Sequence, residues 1–204
     1  MLTRFMSTRV LSPKQDVLSR TNSRPNINRR HFLKTGVGAC ALLALPHVQA
    51  SVLSMNERKL AFLNLHTGER VHTTYWAEGQ YIPESLMAIE NILRDHRTGE
   101  IYEIDRNLLN LLQLLNYKMA SKNEFHVISG YRSPATNAQL NARSSGVAKR
   151  SLHMLGKAID IRLPGHTLSN LHMAALSLEA GGVGYYPKSD FIHLDTGHVR
   201  QWHG

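Results

Sequence analysis

Two short segments in the C-terminal half of the chain combine histidine and aspartate at spacings that suit a metal site. The first segment, residues 151–161, contains His153 and Asp160. Side chains alternate between the two faces of a strand, so the isoleucines on either side of Asp160 would enter the core and leave the carboxylate on the opposite face. Gly156 lets the chain turn between the two residues and bring the imidazole to the carboxylate. The pair predicts two ligands for a borderline metal such as zinc.

The second segment, residues 190–197, supplies a further histidine between two aspartates. Strand alternation places His193 and Asp195 on one face, so His193 would complete a His/Asp/His set. Three protein ligands that leave a fourth position for water are typical of a catalytic zinc site rather than a structural one. Zinc lowers the pKa of its bound water toward ~7, and a carboxylate must then take up the proton. Asp190 and Asp195 are the two candidates for that base.

A third segment, residues 129–134, places an arginine between a predicted strand and a predicted helix. Gly130 can redirect the backbone there, so Arg132 would project from the strand end, where sites tend to be assembled. A guanidinium in such a place can bind a substrate carboxylate through two hydrogen bonds or stabilise a developing oxyanion. Arg132 is therefore a candidate catalytic residue.

The elements that must position these residues follow from hydrophobic periodicity and from turn and capping residues. Because helices come first and strands mostly last, the pattern predicts an α+β domain with a small antiparallel sheet flanked by helices. The predicted hairpins pair 59–66 with 69–76 and 182–186 with 191–195, and the further strands are 124–129 and 158–163. The predicted helices cover 83–95, 105–120 and 167–180, with another starting over 134–140, and residues 141–150 are expected to form a surface loop.

Charge is distributed unevenly along the chain. The 204 residues carry 24 Lys and Arg against 15 Asp and Glu, a net charge of +9. Eight of the basic residues and one acidic residue lie in residues 1–50, which leaves a net charge of +2 on residues 51–204. A nearly neutral domain with few aromatic residues argues against a nucleic-acid or membrane-surface partner. The single cysteine, Cys40, excludes a disulfide framework and a cysteine-rich zinc site.

Residues 1–50 are typical of an export signal rather than of a folded unit. Arg29 and Arg30 precede Phe-Leu-Lys and an apolar run over residues 35–45, which is shorter than the ~20 residues that a bilayer span needs. The paired arginines resemble a twin-arginine signal, which a receptor reads as an address. Small residues before the boundary predict cleavage after Ala50, which would leave residues 51–204 as a periplasmic or otherwise exported domain. An uncleaved N-terminal anchor is the alternative.

Three motifs occur in a specific order along the chain. They are Ser-Gly-Tyr-Arg-Ser at 129–133, Ser-x-His-x6-Asp at 151–160, and Phe-Ile-His-Leu-Asp-Thr-Gly at 191–197 with Arg200 and Trp202 after it. Together with Gly-Gly-Val-Gly-Tyr-Tyr-Pro at 181–187, they resemble the exported murein endopeptidases. That group is a branch of the D-Ala-D-Ala metallopeptidases, within the lysostaphin/D-Ala-D-Ala/hedgehog superfamily. The resemblance covers most of residues 58–204 and implies a hedgehog/D-Ala-D-Ala-peptidase-like fold.

The resemblance also implies roles for individual residues. The implied zinc ligands are His153, Asp160 and His193. Arg132 corresponds to the substrate- or transition-state-binding arginine of the family. The general base in related peptidases is an acidic residue three positions before the last ligand, which here is Asp190. Asp195 occupies the place where other members have the second histidine of a His-x-His pair, so its role stays open between orienting His193 and sharing the base role.

The sequence therefore predicts a zinc metallopeptidase domain over residues 51–204, acting as a peptidoglycan endopeptidase that hydrolyses peptide cross-links. Zinc is the expected cofactor, and peptidoglycan stem peptides are the expected partners. Neither nucleic acid nor stable membrane insertion after signal cleavage is expected. Two alternatives stay open. One is a zinc D,D- or L,D-carboxypeptidase that trims stem peptides, and the other is a non-catalytic, metal-containing wall-binding module.

Overall fold

The computed structural model describes residues 56–144 and 146–204, so the predicted export signal of residues 1–50 lies outside the described residues. The strands are β1 (Glu57–Asn64), β2 (Arg70–Ala77), β3 (Gln80–Tyr81), β4 (Phe125–Ser129), β5 (Ala158–Arg162), β6 (Gly182–Tyr186), β7 (Phe191–Asp195) and β8 (Arg200–His203). The helices are α1 (Pro83–Ile92), α2 (Arg106–Lys118), α3 (Pro134–Arg143) and α4 (Leu168–Leu176), with a 3-10 helix over Leu152–Leu155. Within this part of the chain, no helix combines the length and the apolar composition that crossing a membrane requires.

These strands form one mixed sheet with the order β3-β2-β1-β4-β5-β7-β6-β8. Most neighbours are antiparallel, but β1 runs parallel to β4, and β6 runs parallel to β8. The expectation of a small antiparallel sheet is therefore wrong in size and in these two pairs, whereas the α+β class is confirmed. Between β3 and β4 the chain passes through α1 and α2, and a crossover of this kind can return β4 parallel to β1.

The leucines of α2 form the centre of the hydrophobic core, as their spacing predicts. The buried members are Leu108, Leu109, Leu111, Leu112 and Leu115. They pack with β1 residues such as Leu60 and Phe62, and with Ile159 and Ile161 of β5. Each such leucine stabilises the fold substantially, since replacing a buried leucine with alanine costs about 2–5 kcal/mol. Burial of the β5 isoleucines leaves the opposite face of that strand free to carry Asp160.

Both predicted hairpins form, and the differences from the predicted bounds have local causes. Helix α1 ends before Asp95, whose carboxylate accepts hydrogen bonds from the Arg97 and Ser133 N–H groups at 2.9 Å each. Helix α3 extends a few residues into the predicted loop. Helix α4 ends before Glu179, whose φ of 48° lies in the left-handed region and cannot continue a right-handed helix. The edge strands β3 and β8 are not predicted by the sequence pattern.

Capping residues join the helices to the part of the sheet that carries the candidate site. Asp105 caps α2 by accepting from the Asn107 N–H at 2.9 Å, and its second oxygen accepts from the Thr196 hydroxyl at 2.8 Å. Ser133 caps α3 by accepting from the Thr136 N–H at 3.2 Å. Each cap satisfies a backbone donor that the helix leaves unpaired. Asp105 therefore also fastens α2 to the chain immediately after β7.

Candidate metal centre

Strands β5 and β7 bring two of the predicted ligands together as cross-strand neighbours. Asp160 pairs with His193 in the antiparallel register, and Asp160 Oδ1 lies 2.9 Å from His193 Nδ1. His153 Nε2 reaches the same point from the 3-10 helix, 3.3 Å from Asp160 Oδ1 and 3.2 Å from His193 Nδ1. All three donor atoms lie within 4.8 Å of one another. The structure thus brings together the three residues that the sequence singled out.

A tight turn sets the position of His153. The side chain of Ser151 caps the 3-10 helix by accepting from the His153 N–H at 3.3 Å, and the helix ends at Gly156 with φ of 63°. Gly156 packs so closely that a Cβ at this position would overlap the carbonyl oxygen of Glu103. The Arg132 N–H donates to the His153 carbonyl oxygen at 3.2 Å. The same turn therefore positions the imidazole and holds the segment that carries the arginine.

Each of the two histidines uses its second ring nitrogen for a hydrogen bond that sets its tautomer. His153 Nδ1 donates to the carbonyl oxygen of Gly130 at 2.7 Å, which leaves the Nε2 lone pair facing the site. His193 Nε2 donates to Asp195 Oδ2 at 3.0 Å, which leaves the Nδ1 lone pair facing the same point. Two lone pairs and a carboxylate oxygen repel one another unless a cation lies between them. This donor set fits a zinc ion.

The electrostatics of the site favour an ionised Asp160. Burial opposes ionisation, but the charge on His153 and hydrogen bonds to both imidazoles hold the pKa of Asp160 well below its usual range. Burial lowers the pKa of His153, although the Asp160 carboxylate acts in the opposite direction. Burial also opposes protonation of His193, yet hydrogen bonds with Asp160 and Asp195 raise the pKa of His193 to about 9. Two carboxylates beside His193 therefore make this position favourable for a positive charge.

Asp195 lies behind His193, and its side chain is fully buried. Its Oδ1 accepts from the backbone N–H groups of Gly182 at 3.1 Å and Gly197 at 2.8 Å. Arg200 binds both carboxylate oxygens, at 3.1 Å to Oδ1 and 2.7 Å to Oδ2. Burial works against ionisation, but hydrogen bonds from His193 and Arg200 hold the pKa of Asp195 below its usual range. This carboxylate is placed to orient His193, and both of its oxygens already accept hydrogen bonds from protein groups.

Arg132 lies beside the three ligands, where the sequence predicted it. Its Nη2 is 3.5 Å from Asp160 Oδ2 and 3.3 Å from the Ser129 hydroxyl, and its Nη1 is 3.5 Å from the Asn137 side-chain oxygen. Its buried Nε has no hydrogen-bond partner among the described residues. Burial lowers the pKa of Arg132, although the charge of Asp160 acts in the opposite direction. A desolvated guanidinium with such long contacts can still bind an anionic group.

The structure does not place Asp190 with the three ligands. Asp190 lies in the turn between β6 and β7 with φ of 53°, and its carboxylate binds Arg162 Nη1 at 2.9 Å. Its side chain is 62% exposed and lines a different, smaller cavity. Among the described residues, the only carboxylates that line the cavity of the three ligands are Asp160 and Asp195. The base role of Asp190 stays a prediction that no contact supports.

A cavity of about 550 Å³ lies over the three ligands, and one of its walls is aromatic. Tyr186 stacks on Phe191 with ring centroids 4.6 Å apart, and Trp202 Nε1 donates to the Tyr186 hydroxyl at 2.9 Å. The Trp202 ring also lies 5.2 Å from the ring of His193. The wall therefore covers one side of the candidate centre with apolar surface.

Arg200 and Trp202 belong to β8, and neither residue has a role predicted from the sequence. Their spacing of two puts both side chains on one face of a strand, which is the signal that could have revealed them. In the parallel pair of β6 and β8, Arg200 lies opposite Gly182 and Trp202 lies opposite Gly184. A Cβ on Gly182 would be 2.5 Å from the guanidinium, and a Cβ on Gly184 would be 2.7 Å from the indole. The glycines of the Gly-Gly-Val-Gly segment therefore make room for two large side chains.

Comparison of the chain with known proteins identifies the family to which it belongs. The profile of the family described as Peptidoglycan L,D-endopeptidase MepK matches residues 52–202. The peptidoglycan L,D-endopeptidase MepK of Escherichia coli (strain K12) is 43% identical over 176 residues, which are 86% of this chain and 97% of that protein. The probable peptidoglycan L,D-endopeptidase MepK of Haemophilus influenzae is 41% identical over 179 residues, which are 87% of this chain and 96% of that protein. No solved structure matches significantly.

A match of this extent to a peptidase family, over the residues that build the sheet and the cavity, places the chain among the peptidases. More narrowly, the chain belongs to the peptidoglycan L,D-endopeptidase MepK family. The resemblance to murein endopeptidases of the D-Ala-D-Ala metallopeptidase superfamily is thereby confirmed.

Proposed function

We propose that this protein is a zinc-dependent peptidoglycan L,D-endopeptidase that hydrolyses peptide cross-links of the cell wall. The observation that supports it best is the convergence of His153, Asp160 and His193 within 4.8 Å, with both imidazole tautomers set by hydrogen bonds on the far side. The L,D specificity and the endopeptidase activity rest on the names of the relatives. Arg132 beside the ligands favours an enzyme over a non-catalytic wall-binding module.

The proposed roles of the residues follow from their contacts. The three ligands would hold zinc, which when bound supplies Lewis acidity and a water molecule of lowered pKa. Arg132 binds an anionic group of the substrate, either a stem-peptide carboxylate or the developing oxyanion. Asp195 keeps His193 in the tautomer whose Nδ1 is free. The aromatic wall that includes Trp202 packs against the apolar part of the peptide and excludes water there.

The two aspartates that the sequence predicted as candidate bases differ in how well their surroundings suit a proton acceptor. Asp195 is fully buried and hydrogen-bonded on both oxygens, so we assign it to holding His193. Asp190 could act as the base only after its ion pair with Arg162 opens. Substitution of each aspartate tests this division.

We also infer that residues 1–50 are a twin-arginine export signal and that residues 51–204 are the mature periplasmic domain. The net charge of +7 on residues 1–50, the paired arginines and the location of peptidoglycan outside the cytoplasm support this inference. In cell fractionation, a chain with Arg29→Lys and Arg30→Lys should accumulate as a cytoplasmic precursor, while the exported native form begins at Ser51. Normal export of the double variant would contradict the twin-arginine route.

Digestion of purified cross-linked peptidoglycan tests the proposed activity. Mass analysis of the products should show loss of L,D-cross-linked dimers with the zinc-loaded protein. Release of terminal residues alone would indicate a carboxypeptidase, and the absence of any product would indicate a binding module. His193→Ala and chelator-treated wild type are the controls, and full activity of a zinc-free sample would contradict the metal-dependent mechanism.

A further inference from the structure

We infer that Arg200 is a positioning residue of the metal centre, which acts on His193 through Asp195. The inference rests on the proposed zinc site and adds to it a residue on β8 that does not itself bind the metal. The pairing of β8 with β6 brings the Arg200 guanidinium next to the buried carboxylate of Asp195.

Arg200 donates two of the five hydrogen bonds that Asp195 makes with the described residues, one to each oxygen, whereas the backbone N–H groups of Gly182 and Gly197 reach Oδ1 alone. Asp195 Oδ2 accepts from His193 Nε2 at 3.0 Å and from Arg200 Nη2 at 2.7 Å. Arg200 Nη1 donates to Oδ1 at 3.1 Å, so the guanidinium binds the carboxylate through two parallel hydrogen bonds. Two nitrogens on two oxygens fix the plane of the carboxylate, which a single donor cannot do. The plane of Asp195 in turn fixes the direction of the His193 ring.

The surroundings of the guanidinium are shaped to hold it in this place. Gly182 and Gly197 lack side chains where a Cβ would lie 2.5 Å and 3.1 Å from Arg200 Nη1. Arg200 Nη1 also donates to the carbonyl oxygen of His198 at 2.9 Å, and the guanidinium carbon lies 5.0 Å from the Trp202 ring centroid. Arg200 is therefore held by backbone, carboxylate and aromatic contacts on several sides.

Arg200 also lines the cavity, so direct binding of a substrate carboxylate is the competing role. Both terminal nitrogens of Arg200 already donate to Asp195, so the geometry favours the positioning role over binding of a substrate carboxylate. The two roles differ in what they predict. A substrate-binding arginine affects KM and leaves zinc affinity unchanged, whereas a positioning arginine affects zinc affinity in the absence of any substrate.

The test compares Arg200→Lys and Arg200→Gln with Arg94→Lys. Arg94 binds Glu69 in the same two-bond manner, at 2.8 Å and 3.1 Å, and it does not line the cavity. Zinc affinity is measured by competition with a chromophoric chelator, and the geometry of the centre is followed by the absorption spectrum of bound cobalt(II). Thermal unfolding of each variant checks that the fold is retained.

We expect Arg200→Lys to weaken zinc binding by about 10-fold and Arg200→Gln by up to ~100-fold, with an altered cobalt spectrum and a lower kcat. Arg94→Lys should bind zinc like the wild type. Unchanged zinc affinity in both Arg200 variants, with an increase in KM alone, would overturn the inference and assign Arg200 to the substrate. Failure of the wild type to bind zinc would instead contradict the proposed function.

Discussion

At the residue scale, the candidate centre depends on which atom of each side chain is left free. His153 offers Nε2 because Gly130 takes its Nδ1, and His193 offers Nδ1 because Asp195 takes its Nε2. The two histidines thus approach the same point with different nitrogens. Substitution of a residue that hydrogen-bonds a ligand histidine can therefore weaken metal binding as much as substitution of the histidine itself.

Replacing each candidate aspartate by asparagine separates positioning from proton transfer. Asp195→Asn should weaken zinc binding by about 10–100-fold, since the amide can present its nitrogen to His193 and no longer sets the tautomer. Asp190→Asn should keep the zinc affinity and most of the turnover, because Asp190 contacts Arg162 outside the cavity. Zinc titration and steady-state rates on both variants check this. Loss of turnover with retained zinc in Asp190→Asn would restore Asp190 as the base.

His96 provides a pH dependence of stability that is independent of the metal centre. Burial, together with the charges of His66 and Arg97, lowers the pKa of His96 from 6.5 to about 4, although Asp95 acts in the opposite direction. The unfolded chain therefore binds more protons than the folded chain between these values, so the free energy of unfolding falls as the pH drops from 6.5 toward 4.

His96→Phe removes this titration and keeps an aromatic ring against His66, whose centroid lies 3.8 Å away. The variant should lose less stability than the wild type between neutral pH and about pH 4.5. Urea unfolding of both proteins at the two pH values measures the difference. An equal loss of stability in both would show that folding does not lower the pKa of His96.

At the element scale, the positions of the three ligands are set by a turn and by strand pairing rather than by the α-helices. The pairing of β5 with β7 sets the Asp160–His193 distance, and the left-handed turn at Gly156 sets the entry of His153. The sequence predicts this turn and both strands from an isolated glycine and from alternation. It does not predict β8, because a strand of four residues, three of them exposed, carries too little hydrophobic pattern to be distinguished from a loop.

Two glycines with left-handed backbones make a matched pair for testing the Gly156 turn. Gly68 has φ of 73° and open space around its Cβ position, so Gly68→Ala should cost only the conformational penalty of about 1–2 kcal/mol. Gly156→Ala adds an overlap with the Glu103 backbone, so it should cost roughly 3 kcal/mol or more and also weaken zinc binding. Chemical denaturation and zinc titration measure both effects. Equal costs would contradict a role of close packing at Gly156.

At the scale of the whole molecule, the metal should contribute to the stability of the fold, because its ligands come from three separate elements. Zinc at a hundredfold excess over its Kd stabilises a folded protein by about 2.7 kcal/mol, which corresponds to a melting temperature roughly 5–10 °C higher. Scanning calorimetry with and without chelator should show this shift in the wild type and in His72→Ala, whose exposed histidine lies outside the candidate centre. His153→Ala should show no shift. An unchanged melting temperature of the wild type on addition of chelator would argue against a metal bound at this site.

The sequence by itself identified the three candidate ligands and Arg132 beside them. Strand alternation put Asp160, His193 and Asp195 on defined faces, and the apolar residues between them decided which face enters the core. The spacing of the leucines determined α2, and the segments 129–133, 151–160 and 191–197 carried the family resemblance. These features are local, so they can be read from neighbouring residues.

Only the tertiary structure decided where the candidate side chains lie and which groups they contact. Asp190 and Asp195 look alike in the sequence, yet one is exposed beside Arg162 and the other is buried beside Arg200. The parallel pairs of the mixed sheet, and the place of β8 against the glycines of β6, depend on contacts between segments far apart in the chain. Strand alternation specifies the face of a side chain but not its neighbours across the sheet. The positioning of His193 therefore emerges only when the strands are assembled.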